Sequence, residues 1–356
     1  MRTLARKLLR ARPPERPGLV FVRGHPRSGT NWVGRLINLH PQAFVTGEFH
    51  LEAIYHASEA SKTYPWQLMH DEPVRSELTA AVQDVIRRCI GVGCEAQRPR
   101  PPVEQGKRPP PLPALRWHGD RTPRDLMDWM PGERYIWILR DGRDVMVSWT
   151  FHQLRMGEAV IGKSIPSPVK EHLLELSAAL HADPEFFRKH PERLLSSEEW
   201  VRRTAHTWNH RFQTDSENAA AMQTDATPSR VLCMRYEALR EHTERERQRL
   251  YEFLELDPAL AQPVSREQYT APGFEAENTL SFTRKGEVGD WRNYFTDDAK
   301  RWFQEVAGES LVRAGYARDA DWSEAEREIP VVTAAPAVAP IRAAYSEHTK
   351  EHTHTR

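Results

Sequence analysis

A short apolar segment, Leu19–Arg23 (LVFVR), runs directly into a glycine-containing loop, Gly24–Trp32 (GHPRSGTNW). Apolar residues recur at helical spacing over Asn31–Leu39, so an amphipathic helix is predicted immediately after the loop. A buried strand, a tight loop and a helix in this order present the N–H groups of the first helical turn at the end of the strand. Phosphate and sulfate groups bind at such helix N-termini, so the segment predicts an anion site.

Two further apolar runs predict buried strands, Tyr135–Leu139 (YIWIL) and Arg230–Met234 (RVLCM). Helical stretches separate the strands, and one of them carries a stripe that repeats every four residues and is expected to pack on the sheet: Trp200, Thr204, Trp208 and Phe212. Strands that alternate with helices indicate an α/β fold. We therefore predict a single domain over residues 18–320, with a central, mostly parallel sheet flanked by helices.

Composition excludes several classes of protein. The chain has 50 Lys+Arg and 50 Asp+Glu, so no overall positive field attracts nucleic acid or an anionic membrane. No segment has the apolar length of a membrane span. Its three cysteines, Cys89, Cys94 and Cys233, lack CxxC spacing, which excludes a disulfide scaffold and a zinc ribbon. A reducing, cytoplasmic location is expected.

Three segments do not have the pattern of core elements. Residues 1–17 predict a basic, flexible leader, with a membrane-surface or partner helix as the alternative. Residues 98–113 contain seven prolines and predict an exposed inserted loop, or else a proline-rich ligand for a partner. Residues 329–356 predict a disordered tail.

The first loop carries the groups that an anion site needs. Arg27 supplies a fixed charge, Gly29 permits close approach of the backbone, and three side chains can donate hydrogen bonds: Ser28, Thr30 and Asn31. The loop lacks the GxxxxGK[ST] pattern of a complete P-loop. By itself the pattern also fits a capped helix with a surface arginine.

The sequence PRSGTNW resembles the PxSGTxW signature of sulfotransferases that use 3′-phosphoadenosine 5′-phosphosulfate (PAPS). The resemblance implies a P-loop-like site in which residues 27–31 hold the 5′-phosphosulfate and Trp32 stacks near the adenine. Arg27 stands where lysine is commoner in the family, and Asn31 stands where threonine is usual.

Two later segments resemble the same family. Arg140 and Ser148, in RDGRDVMVS, have the eight-residue spacing of the family's 3′-phosphate motif, although Arg140 alone could equally form a structural salt bridge. The segment RKGEVGDWRNYFT resembles the family's RKGxxGDWKNxFT, which implies that Arg284, Lys285 and Gly286 hold the 3′-phosphate and close over the cofactor. Tyr236 resembles the tyrosine that contacts adenine, and an interfacial core tyrosine is the alternative.

The resemblance implies transfer of the sulfuryl group to a hydroxyl or amine by in-line displacement, which leaves 3′-phosphoadenosine 5′-phosphate (PAP). Positioning and charge stabilisation supply most of the catalysis in such a transfer. Arg27 and the amides of the first loop are expected to stabilise the leaving phosphate, so no metal is required. We expect the acceptor to be a small molecule, a carbohydrate or a peptide.

The general base has three candidates. The segment Trp117–Pro123 (WHGDRTP) is similar to GDKTP of bacterial members and to Lys-Asp-Pro of tyrosylprotein sulfotransferases. By that comparison Arg121 is a second cation on the sulfuryl group, and Asp120 or His118 is the base or orients the acceptor. Glu48, in VTGEFH, is similar in position to a catalytic glutamate of tyrosylprotein sulfotransferases.

Two other functions compete with this interpretation. A P-loop kinase or NTPase would share the first loop but not the RKGxxGDW segment. A non-catalytic scaffold that binds PAP or PAPS would keep the cofactor motifs and lose turnover.

Overall fold

The computed structural model describes residues 16–62, 71–100, 111–223, 229–265, 277–281, 284–319 and 322. Most of the predicted leader (1–17), residues 101–110 of the proline-rich loop (98–113) and the whole of the predicted tail (329–356) lie outside the described residues. Those assignments stay predictions.

The centre of the fold is a five-stranded parallel sheet with the order β2-β3-β1-β4-β5. Its strands are β1 (Gly18–Arg23), β2 (Ala43–Thr46), β3 (Trp117–Arg121), β4 (Arg134–Leu139) and β5 (Val231–Arg235). The predicted α/β class, parallel sheet and three strands are confirmed. β2 and β3 were not predicted, because β2 has only four residues and β3 has the sequence WHGDR.

Helices cover both faces of the sheet. Their bounds are α1 (Thr30–Asn38), α2 (Glu52–Lys62), α3 (Glu72–Gln97), α4 (Gly142–Met156), α5 (Glu158–Ser164), α6 (Val169–Ala182), α7 (Phe186–Lys189), α8 (Glu198–Met222), α9 (Tyr236–Glu241), α10 (Thr243–Phe253) and α11 (Asp297–Arg313). Short 3₁₀ turns occupy Pro191–Arg193, Pro258–Leu260 and Asp290–Asn293.

The core has two layers because successive side chains of a strand point to opposite faces. Val20 and Val22 of β1 pack with α1 and α10, whereas Leu19 and Phe21 belong to the larger core that includes α4, α8 and α11. The predicted stripe on α8 lies in the larger core, with all four residues buried: Trp200, Thr204, Trp208 and Phe212.

Parallel pairing brings the carboxyl ends of all five strands to one edge of the sheet. The segments that follow β1, β4 and β5 begin with Gly24, Arg140 and Tyr236. These strands are neighbours, about 4.8 Å apart in the sheet. The topology therefore brings together motifs that are separated by about a hundred residues of chain, at the edge where open α/β sheets bind ligands.

Candidate active site

The loop between β1 and α1 has the backbone of a tight anion cradle. Arg27 has φ 74° and Gly29 has φ 102°, both in the left-handed region, and the N–H of Ser28 donates to the His25 carbonyl at 3.0 Å. The first turn of α1 holds no acidic residue and has no side-chain cap, so it offers its N–H groups and its dipole to an external anion. The Ser28 Oγ is buried and has no hydrogen-bond partner among the described residues.

Arg27 connects the first loop to the second motif. Its Nε donates to the Oγ of Ser148 at 3.1 Å, although the two residues lie 121 positions apart. Arg140 donates from Nη1 to the backbone carbonyl of Arg27 at 3.1 Å, while its Nε is buried without a partner in the described part of the chain. The predicted salt-bridge alternative for Arg140 is weak in this structure, since its nearest recorded carboxylate, that of Asp144, is 4.0 Å away.

Tyr236 lies at the centre of the site. The guanidinium of Arg140 stacks 4.2 Å from its ring, Trp32 meets it edge-on at 5.8 Å, and its hydroxyl donates to the Gly286 carbonyl at 2.9 Å. A Cβ at Gly29 would come within 2.8 Å of the Tyr236 ring, so glycine is required for this close packing. The ring thus contacts the first, second and third motifs at once.

The third motif closes over the other two. Arg140 donates from Nη2 to the Glu287 carbonyl at 3.1 Å. Arg284 is buried, ion-pairs with Glu277 and Asp290, and stacks 4.2 Å from the Phe151 ring. Lys285 pairs with Glu287 at 2.6 Å and with Asp290 at 3.0 Å.

Asp144 was missed by sequence reasoning, although it lies within the RDGRD segment. It is buried in the first turn of α4, and its carboxylate accepts the backbone N–H groups of Gly289 and Trp291 at 2.7 and 3.0 Å. Burial raises the pKa of Asp144 to about 7, against the opposing effect of Arg140. An acidic residue at a helix start signals a cap, but nothing in the sequence shows that its partner lies 145 residues away.

The site concentrates positive charge. Burial, together with repulsion by three neighbouring guanidinium groups, lowers the pKa of Arg27 to about 10; these neighbours are Arg140, Arg155 and Arg284. An anion placed among these cations would relieve their repulsion. The motifs supply the donors that the two anionic ends of PAPS require, and the buried, unpartnered Ser28 Oγ and Arg140 Nε fit that use.

Arg121 and Glu48 lie at the carboxyl ends of the neighbouring strands β3 and β2. Arg121 is the last residue of β3, and Glu48 comes two residues after β2. Arg121 packs over Gly34 of α1, where a Cβ would meet its side chain at 2.9 Å. Burial lowers the pKa of Arg121, and the nearby charge of Glu48 opposes that shift. The Glu48 side chain is 41% exposed, and its Oε2 lies 3.2 Å from the Nε2 of His50.

The other two base candidates occupy different surroundings. Asp120 is buried, and its oxygens accept hydrogen bonds from the Thr122 hydroxyl and the Phe49 N–H and lie 2.9 Å from an Arg23 nitrogen. His118 pairs with Leu19 in the sheet, five residues before Gly24. Five strand residues span about 16 Å, so the structure does not bring His118 to the anion loop.

Comparison with known proteins now identifies the chain. Residues 17–315 match the family described as "Sulfotransferase domain". The chain belongs to the sulfotransferase family. This result confirms the predicted activity, transfer of a sulfuryl group from PAPS, and does not favour the kinase and scaffold alternatives.

Named relatives agree with the assignment. This sulfotransferase is 25% identical to "Sulfotransferase 1E1" of Rattus norvegicus over 308 residues, which is 82% of each chain. It is 33% identical to "Cytosolic sulfotransferase 4" of Arabidopsis thaliana over 92 residues, 25% of this chain and 33% of that protein.

Similar solved structures include mouse sulfotransferase SULT7A1 complexed with PAP, at 17% identity, a TM-score of 0.40 and coverage of 83% of this chain and 85% of that one. Retinol dehydratase in complex with androsterone and inactive cofactor PAP has 19% identity, a TM-score of 0.39 and coverage of 87% and 85%. Within the described residues of this sulfotransferase, no helix has the length and apolarity to cross a membrane.

Proposed function

We propose that the first loop of this sulfotransferase holds the 5′-phosphosulfate of PAPS and that the second and third motifs hold its 3′-phosphate. The residues proposed for the 5′-phosphosulfate are Arg27, Ser28, Gly29, Thr30, Asn31 and Trp32, with Trp32 near the adenine. The residues proposed for the 3′-phosphate are Arg140, Ser148, Arg284, Lys285 and Gly286, with Tyr236 beside the adenine. The observation that carries the proposal is the 3.1 Å hydrogen bond from Arg27 to Ser148, which joins the two anion motifs.

Bound PAPS supplies the sulfuryl group and a phosphate that gains negative charge as the group departs. Arg27 and the N–H groups at the start of α1 stabilise that charge, since they are fixed by the loop before the reaction begins. Arg121 adds a second cation from the end of β3. The cations of the site balance the leaving phosphates, so this mechanism requires no metal.

Glu48 is the general base in this proposal. Its carboxylate follows β2 at the ligand-binding edge, is accessible, and lies near Arg121, so it can accept a proton from an acceptor hydroxyl or amine. Asp120 instead has its oxygens occupied by Arg23, Thr122 and the backbone, which is the environment of a positioning group.

The cofactor assignment is tested by thermal stabilisation with PAP, ADP and ATP. At 100-fold excess over its dissociation constant, PAP should add about 2.7 kcal/mol to the free energy of unfolding. The effect should be absent with ADP, ATP and, as a further control, AMP, which all lack a 3′-phosphate, and it should be lost in Arg140→Ala. Absence of any stabilisation by PAP, in protein that unfolds cooperatively, contradicts the assignment.

The base assignment is tested with labelled PAPS and an acceptor found by screening. Glu48→Gln should lower kcat by about 10²–10⁴-fold without weakening PAP binding. Asp120→Asn should lower stability, because it disrupts the pairing with Arg23, and His118→Gln should leave kcat within a few-fold. A Glu48→Gln enzyme with normal turnover would exclude Glu48 as the base.

We also infer a cytoplasmic location. The cysteines Cys89, Cys94 and Cys233 are free, and burial raises the pKa of Cys94 to about 12, which keeps that thiol unreactive. A relative is named as cytosolic. Cell fractionation with an antibody against the chain tests this inference.

A further inference from the structure

The chain changes direction where α11 ends. The N–H of Gly315 donates to the Val312 carbonyl at 2.9 Å, and the N–H of Tyr316 donates to the Leu311 carbonyl, also at 2.9 Å. Gly315 has φ 74°, in the left-handed region, so this is the glycine-terminated helix end known as a Schellman motif. The residues that follow are called here the post-α11 segment (315–319 and 322), and its Tyr316 and Trp322 are buried.

Arg143 joins the post-α11 segment to the second motif. Its guanidinium donates to the carboxylate of Asp141 from Nε at 3.0 Å and from Nη2 at 2.7 Å, and Nη2 also donates to the Tyr316 carbonyl at 2.8 Å. Two-pronged arginine–carboxylate pairs fix geometry as well as charge, and this one is buried, since Arg143 is only 4% exposed. Asp141 directly follows Arg140, so the pair fixes the backbone beside a residue proposed for the 3′-phosphate.

The same guanidinium contacts two tryptophan rings. It lies 4.1 Å from the Trp291 ring of the third motif and 4.7 Å from the Trp322 ring of the post-α11 segment. The two rings meet edge-on, with centroids 5.3 Å apart and an interplanar angle of 90°. Cation–π contacts strengthen when the cation is removed from water. Arg143 and Trp322 together therefore hold Trp291 in one place.

Trp291 is next to the carboxylate that orders the cations of the third motif. Asp290 ion-pairs with Arg284, and its Oδ1 lies 3.0 Å from the Nζ of Lys285. Both Asp290 and Trp291 are buried. A displacement of Trp291 would consequently move the carboxylate that holds both cations.

Tyr316 provides a second connection between the post-α11 segment and the site. Its hydroxyl donates to the Oε2 of Glu237 at 2.9 Å, and the Oε1 of Glu237 accepts the N–H of Asp141 at 2.9 Å. Burial raises the pKa of Tyr316, so this hydroxyl keeps its proton and remains a donor. Glu237 directly follows Tyr236, the ring that contacts all three motifs.

We propose that Arg143, together with Tyr316 and Trp322, positions the 3′-phosphate site of this sulfotransferase. This role requires no contact between these residues and the cofactor, because they act through Asp141 and Trp291. The nucleotide then meets cations that are already ordered, which lowers the cost of binding. Tyr316 and Trp322 lie beyond residue 315, where the match to the family ends. The inference rests on the proposed function, because it assumes that the second and third motifs hold the 3′-phosphate.

The test compares tryptophan variants of the full-length protein by calorimetric titration with PAP. Trp322→Leu removes the ring that Arg143 contacts and should raise the Kd for PAP about tenfold. Trp322→Phe keeps an aromatic face and should stay within about threefold of the unaltered protein. Trp302→Leu is the matched control, since Trp302 packs partly buried against the same core from α11 but lies outside the three motifs. Denaturant unfolding should show lower stability for both leucine variants, and only Trp322→Leu should change the Kd.

A kinetic measurement distinguishes cofactor binding from the chemical step. With labelled PAPS and the acceptor found by screening, Trp322→Leu should raise the KM for PAPS and leave kcat at saturation within about threefold. Arg143→Lys keeps the charge but loses the planar fork that binds Asp141, so it should raise the Kd for PAP at least as much as Trp322→Leu. If Arg143→Lys does not fold, the Trp322 variants decide the question.

The outcomes separate the two proposals. If PAP fails to bind the unaltered protein, the proposed function is wrong and the positioning role falls with it. If PAP binds and Trp322→Leu has the same Kd as Trp302→Leu, only the positioning role is overturned. A Kd for Trp322→Phe as high as that of Trp322→Leu also overturns it, because the aromatic face that Arg143 contacts would then have no role.

Discussion

The Oδ2 of Asp144 accepts a 2.7 Å hydrogen bond from the backbone N–H of Gly289. This contact, with a second one from the Trp291 N–H to Oδ1 at 3.0 Å, fastens the third motif to the first turn of α4. Asp144 lies in the same segment as Arg140, and its carboxylate binds the segment that carries Arg284. This role requires no contact between Asp144 and the cofactor. Asp144 is thus a positioning residue for the proposed 3′-phosphate site.

Replacement of Asp144 should therefore weaken cofactor binding. Hydrogen bonds to charged groups contribute about 1.5–3 kcal/mol, so above the Asp144 pKa of about 7, where its carboxylate is charged, Asp144→Asn is expected to raise the Kd for PAP about 10- to 100-fold. Calorimetric titration measures the change. Asp257→Asn is the matched control, because Asp257 also accepts a backbone N–H, that of Ala259 at 3.0 Å, but in the 3₁₀ turn Pro258–Leu260, outside the three motifs. Equal Kd values for the two variants would contradict the role of Asp144.

Gly29 and Gly132 form a second matched pair. Both have positive φ, 102° and 91°, but a Cβ at Gly29 would meet the Tyr236 ring at 2.8 Å, whereas one at Gly132 would meet nothing within 4 Å. Each alanine substitution should cost about 1–3 kcal/mol of stability through backbone strain. Of the two variants, only Gly29→Ala should weaken PAP binding, by more than tenfold. If Gly132→Ala weakens it as much, packing against Tyr236 is not the cause.

Arg27 should matter more to the rate than to folding. Arg27→Ala removes the cation that we propose to face the leaving phosphate and is expected to lower kcat about 10²–10³-fold. Arg27→Lys keeps the charge and should retain kcat within about tenfold, although it loses the planar fork that reaches Ser148. Steady-state kinetics with labelled PAPS measure both variants. A Lys variant as inactive as the Ala variant would show that geometry, and not charge, limits the reaction.

The stability of the fold should fall in mild acid because of His25. Burial lowers its pKa from 6.5 to about 4, so between these values the unfolded chain binds the proton and the folded chain does not. Stability is therefore complete above pH 6.5 and decreases as the pH falls toward 4. Between pH 7.5 and pH 5 this group should account for about 2 kcal/mol.

Denaturant unfolding at the two pH values checks that expectation. His25→Gln retains a donor for the Pro26 carbonyl but does not titrate, so it should lose about 2 kcal/mol less stability than the unaltered chain. Other histidines contribute equally to both proteins and cancel in the comparison. Identical losses would show that His25 titrates normally in the folded state.

Local pattern was enough to predict three of the five strands and the stripe on α8. The runs that became β1, β4 and β5 are continuous hydrophobic segments, and the stripe on α8 repeats at helical spacing. β3 shows the limit of this approach. Its residues include Gly119 and Asp120, and it becomes a strand because it inserts between β1 and β2. Such pairing depends on contacts between segments that are far apart in the chain. The hydrophobic periodicity of a single segment does not show these contacts.

The same distinction holds for the site. Residue type and spacing within one segment predicted the anion loop, the Arg140–Ser148 pair and the Arg-Lys-Gly segment, since the backbone of a short segment fixes its own geometry. Sequence left Glu48, Asp120 and His118 as candidates for the base, and it could not show their environments, which differ through partners far along the chain. Arg23 and Thr122 occupy the oxygens of Asp120, and strand register removes His118 from the edge.

The amino-acid sequence by itself determined an α/β sulfotransferase, because strand, loop and helix signals are local, and it predicted the residues that we propose for the cofactor site. Only the tertiary structure decided that Asp144 binds the third motif and that Arg23 and Thr122 occupy the carboxylate oxygens of Asp120. The physical reason is that hydrogen bonding and burial act through space. The parallel sheet sets those distances by bringing the ends of separated strands to a single edge.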